Sequence, residues 1–149
     1  MSSPKYSIAY ITITAFSHAT EDPEKVQNAI KNTLPEVLTQ NLALTKNPVT
    51  GHHGNPIIFY ETKLDDKKLL PLVLEKIAQS LSPLDKETLS NELKLHIEKH
   101  NLYLRFSKQN AYLGTLQLAT NDPIHFKIHF KNKTPPEIIE FCKQIGLLP

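Results

Sequence analysis

The sequence predicts an α+β fold, with helices packed on one face of a largely antiparallel sheet. Three observations predict it. Strand-like and helix-like segments are mixed without the regular strand–helix–strand rhythm of a parallel sheet. Residues 93–106 and 124–131 alternate apolar and polar side chains, as strands with one wet face do. The 149 residues are 40% hydrophobic and 21% charged, enough apolar material for a single domain, 1–149, to build its own core.

Residues 6–17 open the chain as a strand. Ile8, Tyr10, Thr12, Thr14 and Phe16 fall on one side and Ala9, Ile11 and Ile13 on the other, with the β-branched content a strand favours. Asp22 then caps a helix that has Pro23 at its first position, where the missing N–H costs nothing. Val26, Ala29, Ile30 and Leu34 form its apolar stripe. Residues 42–46 read as a second strand, and residues 47–55 as a loop holding Gly51 and Gly54.

Pro56 opens a third strand through residue 64, a position a strand tolerates for proline. Asp65 or Asp66 caps a second helix with Leu69, Leu70, Val73, Ile77 and Leu81 inward, and Pro71 demands a late start or a kink. Ser82 to Asp85 resembles a capping box for a short helix ending near Asn91. A hairpin follows, with Leu93, Leu95 and Ile97 on one arm and Leu102, Leu104 and Phe106 on the other. Residues 108–120 read as a turn followed by a strand. In residues 124–131, Ile124, Phe126, Ile128 and Phe130 oppose His125, Lys127, His129 and Lys131. Pro135 starts a last helix that buries Ile138, Ile139, Phe141, Cys142 and Ile145.

Charge is unevenly spread. The chain carries 17 basic and 15 acidic residues, a net of +2. Residues 94–133 hold seven basic against two acidic residues, so this stretch is +5 and the remainder −3. Four of the seven histidines lie there, as does Arg105, the one arginine.

If the two alternating segments share a sheet, their polar face presents Tyr103, Arg105, His125, Lys127, His129 and Lys131 together. Cations neutralise phosphates and aromatic rings stack on bases, so such a face suits single-stranded or irregular RNA. An ordinary solvated face is the alternative. Lys46 and the glycine-flanked His52, His53 and Asn55 offer further donors to a phosphate or a base edge, or else form a plain hairpin turn.

Other chemistry finds less support. The lone Cys142 excludes an internal disulfide and a cysteine zinc cage, and it reads as a small core residue. His125 and His129 have helical ligand spacing, but on a strand four residues span about 13 Å, too far for one metal ion. No G-x-S-x-G, Walker loop or G-x-G-x-x-G occurs, so no enzyme, cofactor or metal is expected. The N-terminal residues lack the pattern of a signal peptide, and no apolar run suits a membrane span, so a cytoplasmic location is expected.

The succession ITITAFSHATED, GHHGNPI, NLYLRFSKQNAYLG and NDPIHFKIHF resembles an archaeal family of small RNA-binding proteins, also described as predicted exosome subunits. The likeness runs from about Ile8 to Phe130, and departs from the family's usual pattern at Ser107, in place of an acidic residue, and at Asn110, in place of an alanine. It implies a fold similar to the large-subunit ribosomal protein that carries the small RNA of the central protuberance, helices on one side of a curved antiparallel sheet. It also implies RNA as a partner and an RNA-processing complex as a setting. On this reading Arg105 grips a phosphate bidentately, Lys108, Lys127 and Lys131 add electrostatic hold, Tyr103 stacks, and Gln109 and Asn55 read base edges. The alternative function is a protein-interaction module that docks onto a larger assembly without touching RNA.

Overall fold

The computed structural model describes residues 8–50, 54 and 56–149. Its strands are β1 (Ile8–Ser17), β2 (Thr45–Thr50), β3 (Pro56–Leu64), β4 (Ile97–Glu98), β5 (Asn101–Ser107) and β6 (Pro123–Phe130). They form one antiparallel sheet in the order β2-β3-β1-β6-β5-β4. The helices are α1 (Pro23–Asn32), α2 (Glu36–Thr39), α3 (Leu70–Ser80), α4 (Pro83–Asn91), α5 (Leu93–His96), α6 (Lys108–Tyr112) and α7 (Pro135–Gln144). None is long and apolar enough to cross a membrane.

Register sorts the side chains into two faces. Ile13 lies opposite Thr62 on β3 and Phe126 on β6, and all three are buried. Its neighbour Thr12 lies opposite Lys63 and Lys127 on the other side. The buried face runs on through Ile11, Ala15, Tyr60, Ile128, Leu104 and Phe106, and it shares a core with Val26 and Ile30 of α1, Val73 and Ile77 of α3 and Ile138 and Phe141 of α7. Each such side chain contributes about 1.5–3 kcal/mol by leaving water. The expected α+β class with a largely antiparallel sheet holds.

Local chemistry sets most element ends. Asp22 accepts a hydrogen bond from the Glu24 amide at 3.0 Å, beside Pro23 in the first turn of α1. Ser82 accepts from the Asp85 amide at 3.1 Å to start α4. Helix α3 begins late, at Leu70, with Pro71 in its first turn. Asp66 therefore caps no helix; it accepts from the Lys68 amide in the preceding turn. Cys142 is fully buried, and burial pushes its thiol up to about 12.

Four expectations need correction. A register shift between Ile8 and Tyr10 turns Ile8 to the buried side, so it does not share a face with Tyr10 and Thr12. The second strand is Thr45–Thr50 rather than residues 42–46, and thus occupies much of the expected loop. Every residue of β2 is exposed, so no alternation marks it, and backbone pairing with β3 creates it. The first hairpin arm is mostly the helical turn α5, because Leu93 and Ile97 can share a face at spacing four as well as at period two. Residues 108–120 open with helix α6 instead of a plain turn, and of the expected strand only a bridge between Leu118 and Phe106 forms.

Lys108 ties four segments together. Its side chain is only 9% exposed. The ammonium donates to the Phe16 carbonyl at 2.8 Å and meets Glu21 Oε1 and Asp122 Oδ2 at 2.7 Å each. The end of β1, the loop before α1, the start of α6 and the turn before β6 thereby share one cation. This corrects the expected role of Lys108 as a free grip for a polyanion, because all three donors of its ammonium are already used.

Two outcomes test this account. Phe126→Ala, at a fully buried ring packed edge-on against Phe106, should cost about 3–5 kcal/mol in urea unfolding with the m-value unchanged. Lys108→Met should cost about 2 kcal/mol, since charge-assisted bonds are lost and two carboxylates are left facing each other. A neutral result in either assay contradicts the packing described.

Candidate nucleic-acid interface

The face of the sheet away from the core is built from alternate residues of β1, β3, β5 and β6. Tyr103 lies opposite Lys127, Arg105 opposite His125, and Asn101 opposite His129. Strand β1 carries the pattern onward, with Tyr10 opposite His129, Thr12 opposite Lys127 and Thr14 opposite His125. Five expected site residues, Tyr103, Arg105, His125, Lys127 and His129, are therefore brought together.

Rings and cations interleave on this face. Tyr10 and His129 stack at 4.8 Å between centroids and 19° between planes. The Lys63 ammonium stands 4.5 Å from the centre of the Tyr10 ring and that of Lys127 5.9 Å, both cation–π contacts. Tyr103 and His125 lie 5.5 Å apart at 31°. At the far end of β1, Phe16 and Phe59 face each other at 5.0 Å.

A hydrogen bond fixes which nitrogen His129 offers. His129 Nδ1 lies 2.8 Å from Asn101 Oδ1. An amide oxygen only accepts, so Nδ1 carries the hydrogen and Nε2 is left as an acceptor. Burial holds His125 below the ordinary imidazole range, and the nearby Arg105 and Lys127 charges lower it further. Burial likewise lowers His129, together with Lys127, His100 and Lys63. Both rings are thus neutral stacking planes near pH 7.

The cations are the distinctive feature. Among the described residues no ion pair engages Arg105, Lys63 or Lys127. Glu61 shares the face through its register with Thr14. Elsewhere the pattern differs: Lys133 meets Glu137 at 3.7 Å, and Lys108 has two carboxylates.

Other expected residues stand apart. Lys46 pairs with Tyr60, which places it on the helix side of edge strand β2, away from the basic face. Lys131 follows the last residue of β6 and is exposed there. Gln109 lies on α6 beside Lys108 and lines a separate hollow with Asp22 and Lys25. His53 and Asn55, with Gly51 and His52, lie outside the described residues; Gly54 adopts φ +77°, the left-handed conformation glycine permits. Lys108 is buried as described above. His18, Glu21 and Asp122 gather ligand atoms within 4.8 Å, but the Lys108 ammonium already lies against both carboxylates.

Tyr10 and Lys63 were not among the expected site residues. Tyr10 stood on the polar phase of the opening strand, which is the one signal the sequence offers for it. Nothing local to residues 56–64 places Lys63 near Lys127; the pairing of β1 with both β3 and β6 does that. The departure at Ser107 also finds a reason. Ser107 caps α6 by accepting from the Asn110 amide at 3.1 Å, a role an acidic residue fills equally well.

Known proteins place this arrangement in context. Residues 10–130 match the RNA-binding family. A protein of Pyrococcus abyssi named as RNA-binding is 33% identical over 124 residues, covering 81% of this chain and 80% of that protein. An uncharacterized protein of Methanocaldococcus jannaschii is 33% identical over 140 residues, covering 91% and 93%. A solved DUF54 protein from Methanothermobacter thermautotrophicus superimposes with a TM-score of 0.77 at 27% identity, covering 93% of this chain and 98% of that one. With β5, β6 and all of β1 from Tyr10 onward inside the matched span, the chain belongs to the RNA-binding family.

Proposed function

We propose that the open sheet face binds RNA without catalysis. Arg105, Lys127 and Lys63 hold phosphates, and Tyr10, Tyr103, His125 and His129 offer planes to unstacked bases. One observation carries this reading: three cations stand among rings on one face, with no ion pair to any of them among the described residues. Burial, with the neighbouring cations adding to it, holds two of the histidines below their usual range, so their rings are uncharged planes. A cytoplasmic setting, an RNA-processing assembly such as the exosome, and kinship with the ribosomal-protein fold belong to the same proposal. They rest on the resemblance carried by the segments around Arg105 and His125.

Fluorescence anisotropy with a labelled single-stranded RNA tests the core claim. Three phosphate contacts give a slope of log K against log salt of roughly −2. Arg105→Ala should weaken binding by about 1–3 kcal/mol and flatten that slope. Unchanged affinity in a folded Arg105→Ala variant, or binding indifferent to salt, would point instead to a protein-interaction surface.

The histidines add a pH dependence with a definite sign. Phosphates favour the imidazolium form, so binding takes up protons and affinity should rise as pH falls from neutral to about 5. Stability of the free protein runs the other way. A folded-state value below the unfolded one means stability present above about 6.5 is lost as pH falls through the folded value. A His125→Asn/His129→Asn double variant should lose the acid gain in affinity, and a gain that survives there assigns the effect elsewhere.

A further inference from the structure

Resting on that RNA reading, we propose that the groove beside β5 receives one unpaired nucleotide, its phosphate on Arg105 and its base against Tyr103 and His125. The groove has a volume of about 780 Å³, within the range of roughly 300–1,000 Å³ usual for small-ligand sites. It exists because the outer edge of β5 is covered only at its two ends. Strand β4 pairs with Asn101 and Leu102 alone. At the other end, the Ala119 amide donates to the Arg105 carbonyl at 3.0 Å, next to the Leu118 bridge. Between these ends no strand residue pairs. The Tyr103 carbonyl instead accepts from His96 Nδ1 at 2.9 Å, and the sheet edge opens into a notch.

The chemistry of the notch selects its occupant. Lys94 and Arg105 line it, but so do Glu92 and Glu98, so it is not a general sink for anions. Glu92 Oε2 lies 3.8 Å from His96 Nε2, and both residues line the groove. A nucleotide suits this mixture. Its phosphate meets the guanidinium, its plane meets the rings, and the amino and ring N–H groups of its base meet carboxylates. Leu95 completes an apolar wall while 84% exposed, on a one-turn helix whose neighbour Leu93 is buried. A base lying over this leucine would take apolar surface out of water. A paired base cannot enter, because its edge and face are taken by the duplex.

The experiment compares wild type, Ala119→Trp and Leu95→Glu. Ala119→Trp fills the groove, and Leu95→Glu puts a negative charge on a rim side chain too exposed to disturb the core. Each is titrated with two labelled RNAs sharing one stem, the first closed by an unpaired loop and the second a blunt duplex. Wild type should prefer the looped RNA by about tenfold or more. Both variants should lose that preference while binding the duplex as before, with unchanged thermal midpoints showing that they are folded. Amide shifts at Leu95 and Thr120 should follow addition of a free nucleoside monophosphate but not of inorganic phosphate. Equal binding of the two RNAs by wild type, or a preference that survives both substitutions, overturns the groove and leaves the RNA face standing. Shifts produced by inorganic phosphate alone also overturn it, in favour of a simple anion site. Failure of wild type to bind either RNA overturns both readings.

Discussion

An antiparallel strand sends alternate side chains to opposite faces, and in this protein helices cover only one of those faces. Everything else follows from that asymmetry. The covered face must be apolar, and Ile13, Phe126 and Leu104 meet there across three strands and leave water completely. The opposite face must stay wet, so it is free to carry groups a core could not hold. Moving any strand by one residue would exchange the two sets, and that cost pins the register on which the basic face depends.

The open face is held from its margins. Lys108 fastens the end of β1 to the turn preceding β6, so two central strands are fixed at the end where Phe16 and His125 project. On the opposite edge, His96 stands where a pairing residue would be and leaves the middle of β5 uncovered. A buried cation with three partners stiffens one side, and a side chain that replaces a strand opens the other. The result is a basic surface beside a notch.

Electrostatically the face is poised. Burial lowers both histidines, and neighbouring charges add to it, Arg105 and Lys127 at His125, and Lys127, His100 and Lys63 at His129. On the proposed reading, a bound polyanion would neutralise the cations and favour protonation of the rings. Membership of the RNA-binding family and the geometry of the face therefore point the same way.

By itself the sequence determined the elements that bury one face. Residues 124–131 and 102–106 alternate cleanly because each strand has a wet side and a dry side. Asp22, Pro23 and Ser82 mark helix starts because capping is a contact between near neighbours. Tyr103, Arg105, His125, Lys127 and His129 were legible as one polar set for the same reason. Tertiary structure decided what depends on distant partners. Thr45–Thr50 is a strand only because β3 pairs with it, and the turn at Leu93–His96 is a helix although its leucines alternate. Lys108 looks like one more surface cation until Glu21 and Asp122 close around it, and Lys63 and Tyr10 join the face only through β1 pairing on both edges. Periodicity records how a segment meets water and core, whereas an ion pair or a cross-strand neighbour is set by where the chain returns.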